Sequence, residues 1–140
     1  MYNIEQIHNF ENEIQTISFG PSTYSIQDIE QAQTDPGLPP LRFVTTILGY
    51  SQVYECIRDG DDWTSDFIGN HLDQCTTAAW SSNIGSHEDI IASGGKDNKV
   101  HIWSKELLRD KWELRTTIDV QEKVIGLSWN QTGKFTICEP

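Results

Sequence analysis

Positive charge is scarce in this 140-residue chain: 10 Lys and Arg stand against 21 Asp and Glu, for a formal net charge of −11. A field of that sign repels polyanions, which disfavours non-specific binding to nucleic acid or to an anionic membrane surface. Long apolar runs are missing too. No stretch reaches the length of a membrane span or of a signal-peptide core. The opening MYNIEQIHNF is polar and not Arg-rich, unlike a transit peptide. Cysteine is sparse: Cys56, Cys75 and Cys138 are widely spaced and form no C-x-x-C. An odd, scattered set fits core or edge thiols in a reducing compartment, so the sequence places the chain in the cytoplasm or nucleus. A helical stripe is also lacking. SKELLRDKWELR (104–115) is the best approach to one, but Trp112, Leu114, Thr116 and Ile118 alternate, which predicts a loop and then a strand. No helix longer than two turns is expected.

Short alternating runs and tryptophan are what the chain does have. IQTISF (14–19), TTAAW (76–80) and VIGLSW (124–129) each alternate and end on an aromatic. Phe19 and Trp80 are 61 residues apart, and Trp80 and Trp129 are 49 apart. The first interval holds GPSTYSIQDIEQAQTDPGLPPL (20–41), polar and with four prolines, which reads as an inserted surface loop. With about 15 residues of it set aside, both spacings approach the roughly 40–45-residue period of a four-stranded propeller blade. Strands are then expected near 14–19, 42–48, 51–57 and 63–68 in a first blade. A second has 76–81, 89–94, 99–104 and 112–118, and a third begins with 124–129 and 134–138. Turn residues separate them: Asp59-Gly60-Asp61-Asp62, Gly69-Asn70, Asn83-Ile84-Gly85, Asp97-Asn98 and Thr132-Gly133. The fold class is therefore all-β, a partial propeller of about two and a half blades. Blade one covers 8–70 with the inserted loop 20–41, blade two covers 71–118, and 119–140 starts blade three.

IIASGGKDNKVHIW (90–103) sets a phosphate cradle against a strand turn. A phosphate loop needs Gly-Lys-Ser/Thr and a following helix. Here Gly95-Lys96 runs into Asp97, whose charge repels phosphate, and Val100 and Ile102 then alternate with Lys99 and His101 at strand period. Asp97-Asn98 is a hairpin signal. The chemistry of the segment lies in four residues: His71, nine before Trp80; Ser93; Asp97, four later; and Trp103, six after Asp97. In register they can form a buried chain. Trp103 N–H donates to the Ser93 hydroxyl, Ser93 donates to His71, and the other His71 nitrogen donates to Asp97. Gly94 and Gly95 are expected where blade backbones crowd together. Elsewhere the pattern is degraded: Gly49 stands at the turn Asp, Glu55 or Cys56 at the Trp, Phe19 at the first-strand Trp, and Val120 at the third His. His8 lies eleven before Phe19, two too far.

His71, Asp97 and Ser93 also have the composition of a catalytic triad, but burial in a blade with no oxyanion hole argues for a structural tetrad and no catalytic residue. No metal or cofactor is expected. His8, His87 and His101 stand singly, and the Asp59–Asp62 turn lacks calcium-loop spacing, with Asn70 where the closing Glu would be.

The His71–Trp103 pattern is the signature of a WD repeat, and three segments resemble one WD-repeat family in particular. AAWSSNIG followed by DIIASGGKDNKVHIW is similar to the fifth-blade run of the Sec-thirteen family. ISFGPS…LRFVT, with its Pro-containing insertion, resembles that family's preceding blade, and KWELRTTIDVQEKVIGLSWNQTGK its sixth-blade entry. The resemblance spans about residues 12–137. The family's nuclear-pore paralogue shares the SWN-x-TG pattern of Ser128–Gly133, and the long insertion before Arg42 favours the Sec-thirteen side. TILGYS replaces the expected GG-x-DN turn after Val44. The resemblance implies a non-enzymatic scaffold subunit of the COPII vesicle coat, in transport from endoplasmic reticulum to Golgi, and of the nuclear-pore outer ring. It implies other coat or pore scaffold proteins as partners, one of them donating a blade to an open propeller by β-augmentation. It also implies no direct nucleic-acid contact and membrane association only through the coat. A generic WD-repeat adaptor would carry the same tetrad. Family members are six-bladed and about twice this length, so the chain corresponds to the C-terminal half and stops within the last blade. Val124, Leu127, Trp129 and Phe135 are expected to lack later-blade neighbours. The 140-residue chain is therefore not expected to be an independent stable monomer.

Overall fold

Alternating β-branched and aromatic runs broken by Gly, Asn and Asp favour antiparallel hairpins over helices. The computed structural model describes residues 13–20, 41–59, 62–81, 88–106, 111–130 and 134–138. Its secondary structure is all strand: β1 (Ile14–Phe19), β2 (Arg42–Ile47), β3 (Gln52–Asp59), β4 (Asp62–Asn70), β5 (Cys75–Trp80), β6 (Glu88–Gly95), β7 (Lys99–Glu106), β8 (Glu113–Asp119), β9 (Gly126–Trp129) and β10 (Phe135–Cys138). Among the described residues there is no helix, hence none able to cross a membrane. His8, His87, the Asn83-Ile84-Gly85 and Thr132-Gly133 turns, and the insertion other than Gly20 and Leu41 lie outside them.

The strands form three antiparallel sheets in chain order: β1-β2-β3-β4, β5-β6-β7-β8 and the pair β9-β10. Each sheet is a simple meander, the topology of propeller blades. The architecture is a partial WD-repeat propeller. Strand β5 leads the middle blade and lies against β1 and β2 on one side and β9 on the other. That position dictates its composition. CTTAAW is buried at every residue, and side chains no larger than Thr fill five of its six places. The solvent-facing β8, ELRTTID, is exposed at all but one position.

Two apolar clusters seal the joints. Val44, Val53 and Ile68 of the first blade pack with Cys75, Ala78, Trp80, Ile91 and Trp103 of the second. Ala92, Val100 and Ile102 of the second pack with Val124, and Leu127, Trp129 and Phe135 join them. Val124 is fully buried without any later-blade neighbour. Its neighbour is the preceding blade. Ile125, one residue on, is exposed.

Glycine makes two of these approaches possible. A Cβ on Gly69 of β4 would lie 2.1 Å from Cη2 of Trp103, and one on Gly94 would lie 2.5 Å from Cγ1 of Val124. Bare backbone at these points lets one blade's side chain lie flat on the next blade's strand. Hydrogen bonds repeat the pattern: the Trp80 backbone N–H donates to Ser18 Oγ at 3.0 Å, and the Trp129 indole donates to the Ala79 carbonyl at 2.9 Å.

Candidate functional site

Four polar side chains meet where the first blade hands over to the second. His71 lies on the connection from β4 to β5, Ser93 on β6, Asp97 in the β6–β7 turn and Trp103 on β7. The turn places Asp97 because Asn98 takes a left-handed conformation, φ 60°, which Asn accepts more readily than most residues. Trp103 Nε1 lies 2.8 Å from Ser93 Oγ, and Ser93 Oγ lies 2.8 Å from His71 Nε2. His71 Nδ1 stands 3.1 Å from Asp97 Oδ2. An indole can only donate and a carboxylate only accept, so the protons are assigned. Ser93 accepts from Trp103 and donates to His71, and His71 donates from Nδ1 to Asp97. Asp97 also accepts from the backbone N–H of Leu72 at 3.1 Å and of Lys99 at 3.3 Å.

The site is dry. Ser93 is fully buried, and His71 and Trp103 nearly so. Burial holds the His71 imidazole below its ordinary pKa and outweighs the opposing attraction of Asp97. A neutral ring with Nδ1 protonated is what the chain of donors needs.

His101 does not stand alone, as it does in the sequence. Its ring lies against His71 with centroids 4.2 Å apart, and its Nδ1 is 2.9 Å from Thr117 Oγ1 on β8. Burial, then the neighbouring His71, holds its pKa down as well. The signal was available: His101 and Trp103 are two apart on one strand and share a face.

Gly95 lies against the site. A Cβ there would come 2.9 Å from Asp97 Oδ1 and 3.1 Å from His71 Nδ1. Gly94 faces Val124 instead, so the two glycines serve different contacts.

A second set of polar residues spans the same joint, and sequence reading passed it over. Buried Glu55 on β3 accepts from Lys105 Nζ at 3.3 Å and from the Trp112 indole at 3.1 Å. Lys105 also lies 5.1 Å from the Trp112 ring centroid, within cation–π range. Arg42 on β2 pairs with Asp89 on β6 at 2.6 Å and covers the Trp80 ring. Glu55 occupies a place where the repeat pattern called for Trp, so it read as a degraded repeat. It is instead the acidic partner of the next blade.

Two curated relatives match the chain. Protein transport protein SEC13 homolog B of Arabidopsis thaliana is 36% identical over 68 residues, and SEC13 homolog A of the same plant is 35% identical over 68. The chain is, in part, a Sec13-like WD-repeat protein. The matched stretch takes in 49% of the chain and 22% of each relative's length. No protein-family profile matches the chain. The second blade brings the four tetrad residues within hydrogen-bond reach, whereas the first blade puts Glu55 and Cys56 where a tetrad would end. Cys56 and Cys75 are buried free thiols, and Cys138 is exposed.

Proposed function

We propose that the chain is a scaffold segment that acts through protein–protein contact: part of a COPII-type coat in transport from endoplasmic reticulum to Golgi, or of the nuclear-pore outer ring. The observation that carries this reading is the Sec13-like match to two proteins named for protein transport, set on a blade-by-blade architecture. In this reading His71, Ser93, Asp97 and Trp103 form a structural brace, not a catalytic triad. The proton on His71 Nδ1 is committed to Asp97, and the Ser93 hydroxyl is sealed from any substrate. An open cleft of about 560 Å³ between the first two blades holds Glu55, but Lys105 and Trp112 already engage its carboxylate. Asp66 is the other carboxylate lining it, no histidine, serine or cysteine lines it among the described residues, and the chain is read as non-enzymatic.

Partners are then other coat or pore scaffold chains, one of which supplies strands to complete the propeller. Location follows the partners: cytoplasmic, peripheral on the endoplasmic reticulum and its vesicles, or at the nuclear pore. Affinity capture of the tagged chain under native conditions, followed by mass spectrometry, tests this. Coat or nuclear-pore subunits are the expected catch. Recovery of ubiquitin-ligase or signalling subunits alone would replace this reading with a general WD-repeat adaptor.

A further inference from the structure

The open cleft of about 560 Å³ between the first two blades has two carboxylates on one of its sides. Glu55 on β3 and Asp66 on β4 stand directly opposite one another in the strand register, so their side chains share a face, and both line the cleft. Like charges placed that way destabilise a strand pair. We propose that this cleft is a docking site for an arginine side chain presented by a partner protein. The proposal rests on the reading that the chain acts through protein contact, and it is independent of which complex the chain serves.

The two carboxylates differ in what holds them. Glu55 is buried, and the Trp112 indole donates to its Oε1 at 3.1 Å. Lys105 Nζ reaches the two Glu55 oxygens only at 3.3 and 3.5 Å. A close charge-assisted bond is about 2.7–2.9 Å long, so Oε2 keeps room for a better donor. Asp66 is exposed and has no hydrogen-bond or ion-pair partner among the described residues. A guanidinium carries five N–H donors in a planar fork and can engage two carboxylates together, which the compact ammonium of lysine does less well.

The rest of an arginine also finds its match. Ile57, Phe67 and Trp112 line the same cleft, and the Phe67 ring is exposed. An arginine stem lies along apolar surface of this kind, and its planar head stacks on aromatic rings. The net charge of −11 draws a basic partner in from a distance. Lys111 acts the other way. It is exposed, lines the cleft and repels an incoming cation. Its removal therefore carries a prediction of opposite sign.

The test is fluorescence anisotropy of labelled, end-blocked pentapeptides Gly-Val-X-Val-Gly with the 140-residue chain, where X is Arg, Lys, citrulline or Glu. The Arg peptide is expected to bind most tightly and the Lys peptide less so. Citrulline keeps the shape without the charge, and it and Glu should stay at background. Asp66→Asn lies at the surface and spares the buried Glu55. It should weaken the Arg peptide about tenfold, the loss of one hydrogen bond to a charged group. Phe67→Ala should weaken it as well, and Lys111→Gln should tighten it. Glu122→Gln deletes the same charge at an exposed position outside the cleft and should bind as the parent does. No binding of the Arg peptide, equal binding of Arg and citrulline, or losses in Asp66→Asn no greater than in Glu122→Gln would each overturn the site. These peptides are tested on the chain alone, so their failure would leave the affinity-capture result standing.

Discussion

Asp97 accepts three hydrogen bonds at the joint, from the His71 ring and from the backbone of Leu72 and Lys99. Asp97→Ala leaves those donors unpaired at a nearly dry site, so it should cost about 1–3 kcal/mol. Urea denaturation of the two chains measures the difference, and equal midpoints would contradict a brace. The thiols give a second expectation. Burial pushes Cys56 up to about 11 and Cys75 up to about 12. The folded chain should show one reactive thiol, Cys138, to a disulfide reagent, and three once denatured. Because the fold favours the neutral thiols, their contribution is full below the ordinary thiol range. It is lost as pH rises past about 8.5, where unfolded thiols ionise, and on through the folded values. Stability measured from pH 8 to 10 should therefore fall, and less so in a Cys75→Ala chain compared with its own neutral-pH value. At this scale the four-residue site was legible in the sequence, since residue type and spacing set which atoms can meet. Glu55 was not, because its partners Lys105 and Trp112 come from the neighbouring blade, which spacing along the chain does not reveal.

Strands meet through missing side chains as much as through present ones. Gly69→Ala places a methyl inside the Trp103 ring position, and overpacking of this kind should cost about 1–3 kcal/mol. Gly49→Ala is the informative contrast. Nothing lies within 4 Å of its would-be Cβ, but its φ of +89° penalises an L side chain, so only the backbone term of about 1 kcal/mol is expected. Melting curves of the two variants separate contact from conformation. The Glu55–Lys105 pair allows a parallel comparison. Glu55→Leu alone strands a half-buried ammonium and should cost about 3 kcal/mol, whereas Glu55→Leu with Lys105→Met should recover most of it. A double variant no better than the single would show that Lys105 is already solvated. The ten described strands were legible from short runs bounded by turn residues and, where one face is open, from alternation, because a strand with one buried face writes its period into the sequence. Fully buried β5 carries no polar–apolar alternation, and its small residues make sense only once both flanking sheets are in view.

The first blade leaves Ile14, Ile17 and Phe19 of β1 exposed. Apolar surface of this kind on a lead strand invites association. The 140-residue chain should therefore appear larger than a monomer by light scattering, or sharpen its thermal transition only with a coat or pore partner. A strictly monomeric sample with one sharp transition would contradict this. The placement of His71 carries a consequence for the whole. The second sheet cannot close its own polar network, because one member arrives on the strand connection that ends the first. Amide protons of β6 and β7 should then lose their protection against deuterium together with those of β4, and the unit that opens as one would straddle a sheet boundary instead of coinciding with a blade.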